Sequence, residues 1–211
     1  MNEGNKISDY DEGAMKKSLL KVLFFTLLSV LSLNAFSGAL VNVNYETDVQ
    51  FFQTNGEITG CGIGFAGIED VGNQSQQVRL VSGSMVLSSS EVGVTKVAVA
   101  TFKYDPSMKQ QPPAPLSQVT DYWMRRTGGK IVTSTNKKVI PSVGNKNSVL
   151  QVISADDLAD LFKSINSNDE FQVGVTAKNE KNELIYAGKL KVSDKDSNRL
   201  EDCLTGLLKS K

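Results

Sequence analysis

The chain has two cysteines, and they sit in stretches of different periodicity. Around the first, Thr59, Cys61, Ile63 and Phe65 alternate with Ile58, Gly60, Gly62 and Gly64, the period-two pattern of a β-strand. Around the second, Leu200, Cys203, Leu204, Leu207 and Leu208 recur at helical spacing and form one apolar stripe. Each cysteine thus points inward from its own element. A bond between Cys61 and Cys203 would clamp a C-terminal helix, expected over Asp196 to Lys211, onto a strand near the start of the domain. Asn198 with Glu201 resembles a capping box for that helix, with Asp196 and Ser197 as competing caps. Everything else in the fold must fit inside this closure.

Such a bond needs an oxidising compartment, and the N-terminus points to one. Met15-Lys16-Lys17, an apolar run from Val22 to Leu33 and the small residues around Ala35 to Ala39 have the three parts of a secretory signal. The run is short for a membrane span, which needs about 20 apolar residues. Cleavage is expected after Ala35, Ser37 or Ala39, and Met15 reads as an alternative start behind the polar residues 1–14. Residues 1–39 are therefore read as an N-terminal extension plus signal peptide, and 40–211 as one exported domain, periplasmic or secreted. No stable membrane span is expected after cleavage.

Within the domain, the alternation from Val41 to Phe51 marks a half-buried strand, and Asn55-Gly56 suits a tight hairpin into the Cys61 strand. Strands are expected at Val78 to Leu87 and Lys96 to Tyr104 around a turn at Gly93, and again at Ser148 to Ile153. Phe171 to Ala177 and Leu184 to Val192 should form a hairpin. Ile131-Val132 and Val139-Ile140 read as the arms of another, with a polar tip. Ser154 followed by Asp157 caps a helix striped by Leu158, Leu161, Phe162 and Ile165. Spacing from Leu116 to Arg126 predicts a further short helix, stopped by Gly128-Gly129. Pro106, Pro112, Pro113 and Pro115, among five prolines in all, mark an extended crossing loop before it. The expected class is α+β, a strand-rich antiparallel sheet with two to three short helices.

Several motifs fail on context. Gly62, Gly64 and Gly67 spell a dinucleotide-binding fingerprint, but they lie inside a strand pattern rather than at a strand-to-helix turn. Ser134 and Lys137 match the spacing of a penicillin-binding nucleophile, yet stand between β-branched pairs instead of at a helix start. Asp156, Asp157 and Asp160 fit the first turn of a helix better than a calcium loop. Asn73-Gln74-Ser75 is a glycosylation acceptor only if the cell is eukaryotic. The reading therefore includes no cofactor and no metal.

Composition excludes more than it selects. The chain has no histidine, which removes Ser-His-Asp and Cys-His machinery and histidine proton relays. Basic and acidic residues balance at 23 each with no basic cluster, so nucleic acid is not an expected partner. The leading expectation is a non-enzymatic domain in protein–protein interaction or an envelope assembly, meeting another envelope or extracellular protein. Its contact would be Tyr122, Trp123, Arg125 and Arg126, residue types common at binding hot spots, or an exposed sheet edge. One alternative is a small-ligand or glycan binder using the face of Gly60, Gly62 and Gly64, which requires an aromatic-lined pocket there. The other is a hydrolase using Glu46 with Asp48, or Glu69 with Asp70, which requires two acids facing each other about 5–10 Å apart.

Overall fold

A computed structural model describes residues 38–69, 77–103, 116–135, 139–142, 145–178 and 180–209. The signal-like segment, Asp70, the Asn73 acceptor, the proline-rich run and Lys137 lie outside them. The elements in chain order are β1 (Ala39–Thr54), β2 (Glu57–Glu69), β3 (Gln77–Ser88), β4 (Val92–Lys103), β5 (Leu116–Ser117) and β6 (Val119–Arg126), then β7 (Ile140–Ser142), β8 (Asn145–Ser154), α1 (Ala155–Phe162), β9 (Phe171–Ala177), β10 (Leu184–Gly188) and α2 (Asp194–Lys209). The domain is thus a strand-rich α+β structure with two helices among the described residues. Neither is long and apolar enough to cross a membrane.

The strands form one sheet in the order β6-β9-β10-β1-β2-β3-β4-β8-β7, with β5 added to β4. All pairings are antiparallel except β1 with β10. β1 serves both halves, pairing with β10 from Ala39 to Asn42 and with β2 from Val43 to Thr54. Its hairpin turn has Asn55 at φ 54° and Gly56 at φ 83°, the two positive values that match a tight turn to the twist of the strands. The sheet curls until its ends meet. Met124 of β6 exchanges backbone hydrogen bonds of 3.0 and 2.8 Å with Val132, and Thr135 N donates to Val152 O of β8 at 3.0 Å. Across the same gap the Thr95 and Tyr122 hydroxyls are 2.7 Å apart, and Gln151 Nε2 donates to Tyr122 O at 2.7 Å.

Period-two alternation decides what the curl encloses. Val41, Val43 and Tyr45, then Cys61, Ile63 and Phe65, point inward to meet Phe171, Val173 and Tyr186 in one core. The rings of Tyr45, Phe65 and Phe171 meet edge to face at 5.2–5.8 Å, a geometry that adds about 0.5–1.5 kcal/mol per pair beyond burial. α1 adds Leu158 and Leu161, and α2 lays Leu200, Cys203 and Leu207 against the core. The disulfide joins Cys61 of β2 to Cys203 of α2 across 142 residues of sequence. Closing a loop of that length stabilises by about 5 kcal/mol in the chain-entropy model.

Four local expectations are corrected. Residues 119–126 form strand β6, not a helix: Tyr122 and Met124 face the core, while Trp123 is covered on the opposite face. Apolar burial on both faces, with a bulge between Val119 and Asp121, imitates helical spacing. α2 starts earlier than expected, because Ser193 Oγ accepts from Asp196 N at 3.2 Å and donates to Asp196 Oδ2 at 2.8 Å, so Ser193 is its cap. Val132 pairs with Met124 and Ile140 with Leu150, so these residues are not two arms of one hairpin. The β3–β4 turn is made by Ser89, Ser90 and Glu91, the last at φ 59°, and Gly93 lies within β4. The cap on α1 is as expected, with Asp157 N donating to Ser154 Oγ at 3.1 Å.

Candidate functional site

The outward face of β1–β4 and β8 differs in kind from the inward one. The register sets Asp48, Gly64, Ser84, Lys96 and Leu150 side by side across five strands. The next outward row toward the β1–β2 hairpin is Gln50, Gly62, Val86 and Val94, and beyond it stand Phe52, Gly60 and Ser88. The two middle strands therefore supply mainly glycine and serine, while larger side chains rise from β1 on one side and from β4 and β8 on the other. The result is a groove running along β2 and β3. Strand spacing sets β1 and β4 about 14 Å apart across its floor.

The cavity in this groove measures about 620 Å³, within the roughly 300–1,000 Å³ typical of small-molecule sites. Among the described residues its lining combines Phe52, Val86, Val94, Ala98, Leu116 and Leu150 with Gln50, Thr59, Ser82, Ser84, Ser88, Ser142 and one charged residue, Lys96. Ile140, directly opposite Leu150, extends the apolar rim and is 41% exposed. Gly62, one row from the cavity's Gly60, shows how closely β2 and β3 pack. A Cβ there would stand 2.0 Å from Met85 O and 2.6 Å from Val86 Cα, so β3 approaches more closely than a side chain allows.

Lys96 lies between Thr95 and Val97, both buried in the core, and points the other way, half-buried in the groove. Among the described residues no carboxylate lies within ion-pair distance of it. Past Gln50 the groove continues into a shallower depression of about 300 Å³ walled by Glu46, Thr47 and Asp48. Gln50 Nε2 donates to Asp48 Oδ2 at 3.2 Å across their junction. This face thus carries a cation on β4 among apolar side chains and, across the floor on β1, two carboxylates.

The expected contact residues are placed differently. Tyr122 is buried against Thr95, and the Arg126 guanidinium is held by Asp160 at 3.2 Å and Asp169 at 3.3 Å. Trp123 lies on the outward face of β6, yet is only 8% exposed. Its indole Nε1 donates to Glu183 Oε1 at 2.7 Å, its ring covers Gly174, and Arg125 stacks above it at 5.2 Å. Tyr122 and Trp123 therefore belong to opposite faces of one strand.

The acids are likewise engaged or misplaced for paired chemistry. Glu46 and Asp48 are successive outward residues of β1 and share a wall instead of facing each other. Glu69 binds Arg79 NH1 at 3.0 Å and the Arg79 backbone N–H at 3.1 Å. Asp157 pairs with Lys130, and hydrogen bonds from Lys130 and Ser154 hold its carboxyl below the usual carboxylate range. Asp160 binds Arg126 and Lys163. Burial pushes the phenols of Tyr45, Tyr122 and Tyr186 well above the usual tyrosine range, so none supplies a phenolate at neutral pH.

Sequence reasoning pointed to the Gly60, Gly62 and Gly64 face but missed Lys96, Ser84, Val94 and Leu150. The run Ser82-Gly83-Ser84 was the available signal: small outward residues on a second strand widen a groove if that strand neighbours β2. Compared with known protein families, curated proteins and solved structures, the chain matches none, so its functional assignment rests on this groove and the residues that build it.

Proposed function

We propose that the chain is an exported, non-enzymatic binding domain whose groove on the outward face of β1–β4 and β8 takes a small amphipathic molecule. The observation that carries this reading is the 620 Å³ cavity with a glycine and serine floor, apolar walls and convergent hydroxyls. A contact through Trp123 and Arg125 has less support, because the indole is covered and hydrogen-bonded within its own sheet. Export is supported by the disulfide, which an oxidising compartment maintains, together with the signal-like N-terminus.

The test is a fluorescence titration with dansyl-labelled undecanoic acid, using wild type and Ser84→Trp. The indole of the variant would rise from the groove floor. Saturable binding by wild type, weakened about tenfold or more in a variant with the same melting temperature, is the expected result. Equal binding by the two proteins would place the probe elsewhere and remove the groove reading. The mass of the protein recovered from the envelope fraction tests export, with the expected species beginning at residue 36, 38 or 40.

A further inference from the structure

Resting on the groove reading, we infer that the site selects an amphipathic anion, a single-chain carboxylate whose head group meets Lys96 and whose aliphatic body runs toward Phe52. Three observations define this occupant. Lys96 is the charged residue of the lining, and its neighbours along and across the strands are Val94, Ala98, Leu150 and Ser84. The lysine stem thus runs through mostly apolar surroundings with a hydroxyl-bearing residue beside it. A charge so placed is strengthened as an anchor, because a ligand that covers it excludes the water that would screen it.

The second observation is direction. From Lys96 toward the β1–β2 hairpin, the larger groove side chains are Val94, Val86 and then Phe52, which is 45% exposed. That path covers about four residues along the strands and three strand spacings across them, a diagonal of roughly 20 Å, enough for an extended aliphatic chain. The third is charge across the groove. Asp48 stands in the Lys96 row, about 14 Å away on β1, with Glu46 two residues further from the hairpin, so an anionic head group is held on the Lys96 side of the floor. A membrane surface is a poorer occupant, since the chain is neutral overall and, among the described residues, the groove has one lysine rather than a basic cluster.

The experiment compares dansyl-labelled undecanoic acid with its methyl ester on wild type, Lys96→Met and Ser84→Trp. Wild type should bind the acid about tenfold or more tightly than the ester. Lys96→Met should bind the two within about twofold of each other, because methionine keeps the apolar stem and removes the charge. Ser84→Trp should weaken both probes. Equal binding of acid and ester by wild type, or an acid preference that survives Lys96→Met, overturns the anion inference while leaving the groove reading intact. Binding of neither probe by wild type, or binding that Ser84→Trp does not weaken, defeats both.

Discussion

The two halves of the sheet each carry glycine on an outward face, and they treat it differently. On β9, Gly174 is covered by the protein's own indole: a Cβ there would fall 2.0–2.4 Å from atoms of the Trp123 ring. On β2, Gly60 lines the cavity, Gly64 lines the adjoining depression beneath the Gln50 and Asp48 side chains, and Gly62 between them is packed against the β3 backbone. In the first half, glycine makes a socket that is part of the fold. In the second, the same residue type lets the β3 backbone and the side chains of β1 close in beside a groove. Glycine in a strand therefore signals close approach, and only the neighbouring strand decides whether a ring, a backbone or a ligand makes it.

Removing the ring should give the largest effect. Trp123→Ala is expected to cost about 3–5 kcal/mol in equilibrium denaturation, since it empties the socket and leaves Glu183 without its indole donor. A loss below about 1 kcal/mol would mean that the ring is a loose surface group and would restore it as a contact candidate. Next come Gly174→Ala and Gly62→Ala, each expected to cost about 1–3 kcal/mol as an overpacking substitution. They separate on combination with Trp123→Ala. The Gly174 clash is with that ring, so the double variant should be more stable than the sum of the singles predicts, by about 1 kcal/mol or more. The Gly62 clash is with Met85 O and Val86 Cα, so Trp123→Ala should leave its cost unchanged. Additivity in both pairs would dissolve the distinction between socket and floor.

Much of the fold was legible because one face of each strand is apolar. Val41 to Phe51, the Cys61 strand and the β9–β10 hairpin show clean alternation, and the Cys61–Cys203 link follows from two inward cysteines in different elements. β6 was not legible, since Trp123 is buried on the outer face by contacts from Gly174, Glu183 and Arg125, and such burial erases period two. The groove was half legible. Its glycines recur at every second residue of one strand, but Lys96 reaches them only through the β2–β3–β4 register, and Leu150 through pairing with a strand about fifty residues further along. Sheet order is a long-range property, and local pattern does not carry it.

The groove side chains should contribute little to stability. Ser84→Val replaces the hydroxyl by a methyl and adds one more on a surface open to water, and should change stability by less than about 0.5 kcal/mol.

Lys96→Met is expected to have a smaller effect still, and of the opposite sign. The Lys96 side chain is half-buried beside Val94, Ala98 and Leu150, with no acid partner among the described residues, so its charge adds no ion pair to the folded state. Methionine keeps a similar length and covers the same apolar surface, so the urea midpoint should rise by the equivalent of a few tenths of a kcal/mol, with an unchanged slope. A loss of more than about 1 kcal/mol would identify Lys96 as a structural member of the sheet, as Trp123 is on the other half. A neutral or stabilising change, together with loss of the acid preference, would mean that the protein retains this charge at the expense of its own stability, as expected of a residue kept for a ligand.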